Sequence, residues 1–160
     1  MKISRFKKIC IVTGSRAEYG LLRNLILNLK KEKKFKISLI VTGTHLSNKH
    51  GLTINEIKKD KLQVFKKIKI NYFSDTPSDV CKFNLDISKK FNDLLKKNKF
   101  DILIVIGDRT ETLFCSALAL IHNIKIVHIH GGEVTKGAID NEIRNAISQI
   151  SNIHFVSHKE

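Results

Sequence analysis

The residue types that could do chemistry are concentrated in three short segments, each of which follows an apolar run. The segments are residues 14–20, 107–111 and 128–140. Their reactive side chains are Arg16, Asp108, Arg109, His130, Glu133 and Asp140. Carboxylates and imidazoles can exchange protons with a substrate, and arginines bind phosphate through paired N–H donors. The combination favours acid–base chemistry on a substrate that carries a phosphate or a diphosphate.

Two of these residues, Arg16 and Arg109, are placed at predicted helix N-termini, where the helix dipole disfavours a positive charge. Three segments have the spacing of a capping box: Ser15–Glu18, Thr53–Glu56 and Asp108–Glu111. Capping alone accounts for Glu18, Thr53 and Glu56, but not for the arginines. Two arginines beside unpaired backbone N–H groups indicate an anion site, suited to a diphosphate.

The acidic residues at the start of the last predicted helix can be explained by electrostatics alone. Asp140 and Glu142 lie in its predicted first turn, where the dipole favours carboxylates, and Asp140 has the spacing to pair with Arg144.

Several common sites are disfavoured. Arg16 occupies the position where a dinucleotide fingerprint needs its second glycine, and the chain has no P-loop pattern, so nicotinamide cofactors and P-loop nucleotide hydrolysis are disfavoured. His128 and His130 alternate at a predicted strand end and are expected to point the same way. This pattern can bind zinc, but the sequence supplies no third ligand, so we predict no metal site.

Hydrophobic periodicity predicts strands alternating with helices. The predicted strands are Lys8–Thr13, Lys36–Thr42, Val64–Ile70, Asp101–Ile106, Ile124–Ile129 and Ile153–Val156. The predicted helices are Glu18–Lys31, Thr53–Lys59, Pro77–Leu95, Thr110–Asn123 and Ile139–Ile150. Continuous apolar strands separated by helices predict an α/β fold, a doubly wound, Rossmann-like parallel sheet. In a 3-2-1-4-5 strand order the first and fourth strands are neighbours, and the three polar segments meet at their carboxyl ends. The strand run also predicts a buried core, comprising Cys10, Ile11, Val12, Leu39, Ile40, Leu103, Ile104, Val105 and Val127.

Length and composition limit the class of protein further. The 160 residues suit a single domain, and the longest apolar run is far too short to span a membrane, which favours a cytoplasmic protein with no membrane partner. The three cysteines are far apart, which favours free thiols.

The net charge of +14 comes mostly from dispersed lysines, since only five of the 29 basic residues are arginine. Nucleic-acid binding, which relies on arginine and interleaved aromatics, is therefore disfavoured.

Five ordered motifs carry a resemblance to a known family. They are Gly14–Leu22, Thr42–Ser47, Gly107–Glu111, His128–Glu133 and Gly137–Ile147. The set resembles the hydrolysing UDP-N-acetylglucosamine 2-epimerases of sialic-acid-type sugar biosynthesis, over nearly the whole chain from Lys8 to Ser157. The resemblance implies that residues 1–160 are the N-terminal Rossmann-like domain of a GT-B-like two-domain enzyme, with the second domain absent. It also implies a homo-oligomer for the full-length enzyme and a UDP-sugar as its substrate.

The resemblance implies elimination of UDP from UDP-N-acetylglucosamine to a 2-acetamidoglucal, then hydration to N-acetylmannosamine, with no metal or redox cofactor. Asp108 and Asp140 match acidic residues that the family uses in catalysis, and Arg16 and Arg109 match its phosphate-contacting arginines. His45 matches a residue of the sugar pocket. Arg144 lies in the last motif and is expected to bind substrate.

His130 stands where many relatives have a catalytic glutamate, so the acid–base step is assigned to either His130 or Glu133. Two alternatives to the leading function remain. One is a related 2-epimerase acting on GDP-N-acetylglucosamine or a bacillosamine-type sugar. The other is a non-catalytic module that binds nucleotide sugars or nucleic acid.

Overall fold

The sheet places the first and fourth strands of the chain side by side. The computed structural model describes residues 6–70, 74–135 and 139–157. The strands are β1 (Lys7–Thr13), β2 (Phe35–Val41), β3 (Val64–Lys67), β4 (Ile102–Ile106), β5 (Lys125–Ile129) and β6 (Ile153–Phe155). Their order is β3-β2-β1-β4-β5-β6 and every pairing is parallel. The α/β, Rossmann-like class and the predicted strand order are confirmed.

Helices follow the strands as the periodicity indicates. They are α1 (Arg16–Lys31), α2 (Ile54–Lys59), α3 (Pro77–Lys97), α4 (Thr110–Ile121) and α5 (Asp140–Ile150). Two short 3-10 turns, Gly43–Leu46 and Asn48–His50, follow β2 and were not expected from the sequence. Helix α1 begins two residues before its predicted start because Ser15 caps it. Strand β3 stops at Lys67, short of the predicted Ile70.

Both faces of the sheet are buried, as continuous apolar strands predict. In β1, Ile9 and Ile11 pack with α1 and α2, whereas Cys10 and Val12 pack on the opposite face. All nine predicted core residues are buried. The thiols of Cys10 and Cys115 are free and buried, and burial raises the pKa of each above its usual range, so both remain inert packing groups. Cys81 is free and exposed.

The helices of the described residues do not suit a membrane span. Within residues 6–70, 74–135 and 139–157, every helix is too short or too polar to cross a lipid bilayer.

A polar cluster ties α1 to the turn that follows α2. The hydroxyl of Tyr19 donates to Asp60 Oδ2 at 2.6 Å, and Arg23 donates to both oxygens of Asp60 at 2.7 and 2.5 Å. These bonds lower the pKa of Asp60 to about 2. The ring of Tyr19 is buried below this cluster, in the layer between α1 and the sheet.

The first prediction concerns this cluster. Tyr19→Phe keeps the buried ring but removes the hydroxyl donor, and should lower the free energy of unfolding by about 1 kcal/mol. Asp60→Ala should cost more, because it removes the partner of both Tyr19 and Arg23. Urea denaturation followed by circular dichroism measures both changes. Asp86→Ala, on the exposed face of α3, is the control. Equal midpoints for Asp60→Ala and Asp86→Ala would contradict this assignment.

Candidate active site

A small cavity of about 240 Å³ lies where β1, β4 and β5 end. Its lining comes from the start of α1, the turn after β4, the turn after β5, and α5. Five of the eight predicted site residues line this small cavity: Asp108, Arg109, His130, Glu133 and Arg144. The structure therefore brings together side chains up to 36 residues apart in the chain.

Arg144 is the buried centre of this cavity wall. Its side chain is only 6% exposed, and its Nη2 donates to Asp108 Oδ2 in a close ion pair. Nη1 donates to the carbonyl of Glu133, and Nη2 also lies 3.3 Å from the hydroxyl of Thr135. One guanidinium from α5 thus fixes both the turn after β4 and the turn after β5. The expected pairing with Asp140 is wrong, since Asp140 is not among the described partners of Arg144.

His130 and Glu133 form a hydrogen-bonded pair at the mouth of the small cavity. His130 Nδ1 lies 2.6 Å from Glu133 Oε1, and both side chains are partly exposed. The bond from His130 holds the pKa of Glu133 below its ordinary value. An imidazole oriented by a carboxylate is an arrangement that suits proton transfer near neutral pH.

His128, two residues earlier, has a different environment. It is fully buried, with Nε2 2.7 Å from the Gly107 carbonyl and Nδ1 3.0 Å from the Ser148 hydroxyl. Burial lowers its pKa. The expectation that His128 and His130 point the same way is wrong, because His130 has a φ of +60° that ends the alternation of the strand. His128 therefore supports α5, while His130 faces the small cavity.

Three predicted site residues do not line the small cavity. Arg16 is largely exposed in the first turn of α1, and its Nε lies 2.8 Å from Glu56 Oε1. Asp140 begins α5 and is partly buried. His45 is fully buried in the turn after β2. The contacts of these three with a substrate stay predictions. Gly137 and Ala138, which belong to the last motif, lie outside the described residues.

His45 joins three segments of the protein. Its Nε2 lies 3.1 Å from the hydroxyl of Thr13, and its Nδ1 lies 2.8 Å from the hydroxyl of Thr53. Its ring meets that of Tyr19 edge to face. Burial lowers the pKa of His45 to about 4. Gly43, just before it, has a φ of +59°, and a Cβ there would lie 2.6 Å from the Gly14 carbonyl oxygen, so only glycine allows the two turns to pack.

Of the three capping boxes predicted from the sequence, one is confirmed and two are wrong. Ser15 and Glu18 form a complete capping box. Thr53 makes no capping bond, and its hydroxyl contacts His45 instead. Arg109, not Asp108, is the N-cap residue of α4, without a capping bond from its side chain. Since Asp108 pairs with Arg144, capping does not explain its presence.

A large cavity of about 620 Å³ lies beside the small one and was not expected from the sequence. Its walls come from segments 43–50, 69–70 and 74–83 and from Arg109, Thr110 and Glu111. Arg109 lines both cavities. The Thr42–Ser47 motif was the only indication in the sequence that the turn after β2 contributes to this edge.

The described residues contain no cluster of side chains suited to a metal ion. Across residues 6–70, 74–135 and 139–157, His, Cys, Asp and Glu side chains nowhere gather in threes close enough to hold a metal ion. The absence of a metal requirement stays a prediction.

Comparison with known proteins identifies the family. Residues 27–160 match the family model described as UDP-N-acetylglucosamine 2-epimerase. The chain belongs to this epimerase family. The relative named GDP/UDP-N,N'-diacetylbacillosamine 2-epimerase (hydrolyzing), from Campylobacter jejuni, is 42% identical over 96% of this chain and 40% of its own length. Polysialic acid biosynthesis protein P7 of Escherichia coli is 37% identical over 96% of this chain and 39% of its own.

Solved epimerase structures share the fold. The crystal structure of UDP-GlcNAc 2-epimerase from Neisseria meningitidis bound to UDP-GlcNAc aligns with a TM-score of 0.79 and 23% identity. The alignment covers 93% of this chain and 40% of that one. The chain therefore spans about two-fifths of the length of the epimerases it matches.

The second prediction concerns pH and His45. Its folded-state pKa of about 4 is below the ordinary value of 6.5, so between these values the unfolded chain binds more protons. The contribution of His45 to stability is complete above about pH 6.5 and is lost as the pH falls towards about 4, by at most about 1.4 kcal/mol per pH unit. Urea unfolding of the wild type and of His45→Gln across this range measures it, because the variant should lack this part of the slope. His50→Gln, at an exposed position, is the control and should keep the wild-type slope. Parallel curves for the wild type and His45→Gln would contradict the buried neutral state.

Proposed function

We propose that this chain is the N-terminal domain of a hydrolysing 2-epimerase that converts UDP-N-acetylglucosamine to N-acetylmannosamine and UDP. The observation that carries the proposal is the small cavity, in which Asp108, His130 and Glu133 lie beside Arg109 at the end of β4. Membership of the epimerase family supports the reaction class. The similarity to a polysialic acid biosynthesis protein supports a product used for sialic-acid-type sugars.

The reaction needs a base, an acid and a cation at defined places. A base removes the proton from carbon 2 of the sugar while the bond from carbon 1 to the diphosphate oxygen breaks. This step releases UDP and leaves 2-acetamidoglucal, which has a double bond between carbons 1 and 2. Water then adds to carbon 1, and a proton returns to carbon 2 on the opposite face. Since elimination and hydration leave the overall oxidation level unchanged, the chemistry requires no redox cofactor.

The residues of the small cavity suit these roles. Glu133 orients His130 through their 2.6 Å contact, so the pair supplies one acid–base group. Arg144 holds the carboxylate of Asp108, which supplies a second group. Arg109 offers the positive charge that the departing diphosphate needs. Arg16 and Asp140 begin α1 and α5, and we propose that they bind the substrate from the rim, with His45 supporting the sugar pocket.

The proposal extends to the whole enzyme. Because the chain spans about two-fifths of its relatives, we propose that a second domain supplies the other wall of the cleft and most contacts to the uridine. A cytoplasmic homo-oligomer, binding neither membrane nor nucleic acid, belongs to the same proposal.

A second candidate substrate is a nucleotide-linked N,N'-diacetylbacillosamine. The 42% identity to a relative named for that sugar favours it. A large cavity next to the small one leaves room for an additional acetamido group.

The third prediction tests the activity and the substrate. A chimera in which this chain replaces the matching two-fifths of the Campylobacter jejuni relative should release UDP from a UDP-linked 2-acetamido sugar. In it, Asp108→Asn should lower kcat by at least about a hundredfold, because the amide cannot exchange the proton. Product analysis by NMR, with UDP-N-acetylglucosamine and UDP-N,N'-diacetylbacillosamine supplied separately, identifies the preferred sugar.

Two further measurements control this experiment. Asp86→Asn, on the exposed face of α3, should retain the activity of the chimera. The circular dichroism spectrum of Asp108→Asn should be unchanged, because its amide oxygen can still accept from Arg144. Activity of Asp108→Asn within a few-fold of the parent would remove Asp108 from the mechanism.

The fourth prediction concerns these 160 residues alone. They should bind UDP-N-acetylglucosamine weakly and release no UDP from it, because one wall of the cleft neither holds the uridine nor excludes water. Incubation with the purified chain, followed by phosphorus NMR, measures UDP release. Turnover at an ordinary enzymatic rate would contradict the two-domain proposal.

A further inference from the structure

Arg109 is held between two buried carboxylates from different helices. Its Nε lies 2.8 Å from Glu111 Oε1 and 3.7 Å from Glu18 Oε1. The side chain of Glu111 is 5% exposed and that of Glu18 is 11% exposed, whereas that of Arg109 is 42% exposed. The anionic groups thus lie inside the protein, and the guanidinium extends from them towards the surface.

Capping accounts for one oxygen of Glu18 and for neither oxygen of Glu111. Glu18 Oε2 satisfies the cap by accepting from the backbone N–H groups of Gly14 at 2.5 Å and Ser15 at 3.2 Å. Its other oxygen, Oε1, is buried and, within the described residues, accepts no hydrogen bond. A first-turn carboxylate that served only the helix dipole would not need to leave water, yet Glu111 is buried.

The turn after β1 is shaped around Glu111. A Cβ on Gly14 would lie 2.8 Å from Glu111 Oε1, too close for any other residue without a shift of that carboxylate. Gly14 therefore gives Glu111 the space to reach Arg109. The turn also supplies the N–H groups that orient Glu18, so one backbone segment positions both carboxylates.

Arg109 is the charged residue that this arrangement controls. It lines the small cavity together with Glu18 and the large cavity together with Glu111. Any displacement of its guanidinium would change both cavities, and an unrestrained arginine at a helix N-terminus would be repelled by the dipole. Two carboxylates offset that repulsion.

We propose that Glu111 is a positioning residue that holds Arg109 between the two cavities, where it receives the diphosphate of the substrate, and that the charge of Glu18 tunes this binding. The identity of that anion rests on the proposed function. Both carboxylates face Arg109, so they act through the arginine.

The arrangement makes phosphate binding depend on pH. Burial, reinforced by the charge of Glu111, raises the pKa of Glu18 to about 7. Above this pH, ionised Glu18 competes with a phosphate for Arg109, and below it protonation removes that competition. The other charged groups around Glu18 are the pair Asp108 and Arg144 and the pair His130 and Glu133, which line the same cavity.

The test measures binding of UDP-N-acetylglucosamine to the 160-residue chain by NMR titration, at about pH 6 and about pH 8, where its two phosphates keep the same charge. The wild type should bind several-fold more tightly at the lower pH. Glu18→Gln should lose most of this difference. Glu142→Gln, at an exposed position of α5, is the matched control and should keep it. An unchanged pH dependence in Glu18→Gln would overturn the role of Glu18.

The positioning role of Glu111 is tested through its contact with Arg109. The Nε–H resonance of Arg109 should be visible in the wild type and should disappear by rapid exchange in Glu111→Ala, with affinity reduced about tenfold. Glu111→Gln keeps an acceptor oxygen and should restore the resonance and most of the affinity. A merely structural role would lower the stability of Glu111→Ala and leave its affinity unchanged, and this result would overturn the proposal.

Failure of the proposed function gives a different result. If the wild type does not bind UDP-N-acetylglucosamine, inorganic pyrophosphate is titrated into the wild type and Glu111→Ala at one pH. Weaker pyrophosphate binding by Glu111→Ala would support the positioning role without the nucleotide sugar. Equal binding, or none by either protein, would overturn it.

Discussion

The parallel pairing of β1 with β4 is the constraint on which the site depends. Ile9, Cys10 and Ile11 align with Ile102, Leu103 and Ile104, so the direction in which strands are added to the sheet reverses between these two strands. The connections that follow them, α1 and α4, cover opposite faces of the sheet and leave a crevice between their N-termini. Polar residues at this edge can lie partly buried without interrupting the core, because the core ends where the strands end.

Two guanidinium groups in this crevice are held by carboxylates. Arg144 of α5 is paired with Asp108, and Arg109 is paired with Glu111 and lies near Glu18. A buried charge is strongly destabilising when it lacks a partner, so each pair restricts the positions that its turn can adopt. The two arginines differ in exposure, at 6% for Arg144 and 42% for Arg109. Arg144 is thus enclosed by the protein, whereas Arg109 is open to solvent.

The same crevice explains how an epimerase domain presents its residues. The turn after β4 supplies Asp108 and Arg109, the turn after β5 supplies His130 and Glu133, and the start of α1 supplies Glu18. Each turn begins at a strand whose position the sheet determines, and Arg144 then ties the turn after β4 to the turn after β5. The adjoining large cavity, formed mostly by the turn after β2 and the residues up to the start of α3, lies beside Arg109.

Hydrophobic periodicity and the strands that end in glycine were sufficient to predict the fold, the strand order and all nine core residues. The reason is that a chain of alternating strands and helices has few ways to bury both faces of a parallel sheet. Asp108, Arg109, His130 and Glu133 could be predicted to lie together for the same reason, since they follow strands whose carboxyl ends meet, and they line one cavity. Arg16 was expected there too, but it does not line that cavity. The partners of those residues were not predictable. Arg144 was expected to pair with Asp140 four residues away, but it pairs with Asp108. Glu18 does cap α1, but its second oxygen and the carboxylate of Glu111 lie buried beside Arg109. Spacing along the chain determines which side chains share a helix or a strand, whereas the choice among competing charged partners depends on distances and desolvation that exist only after the turns have packed together.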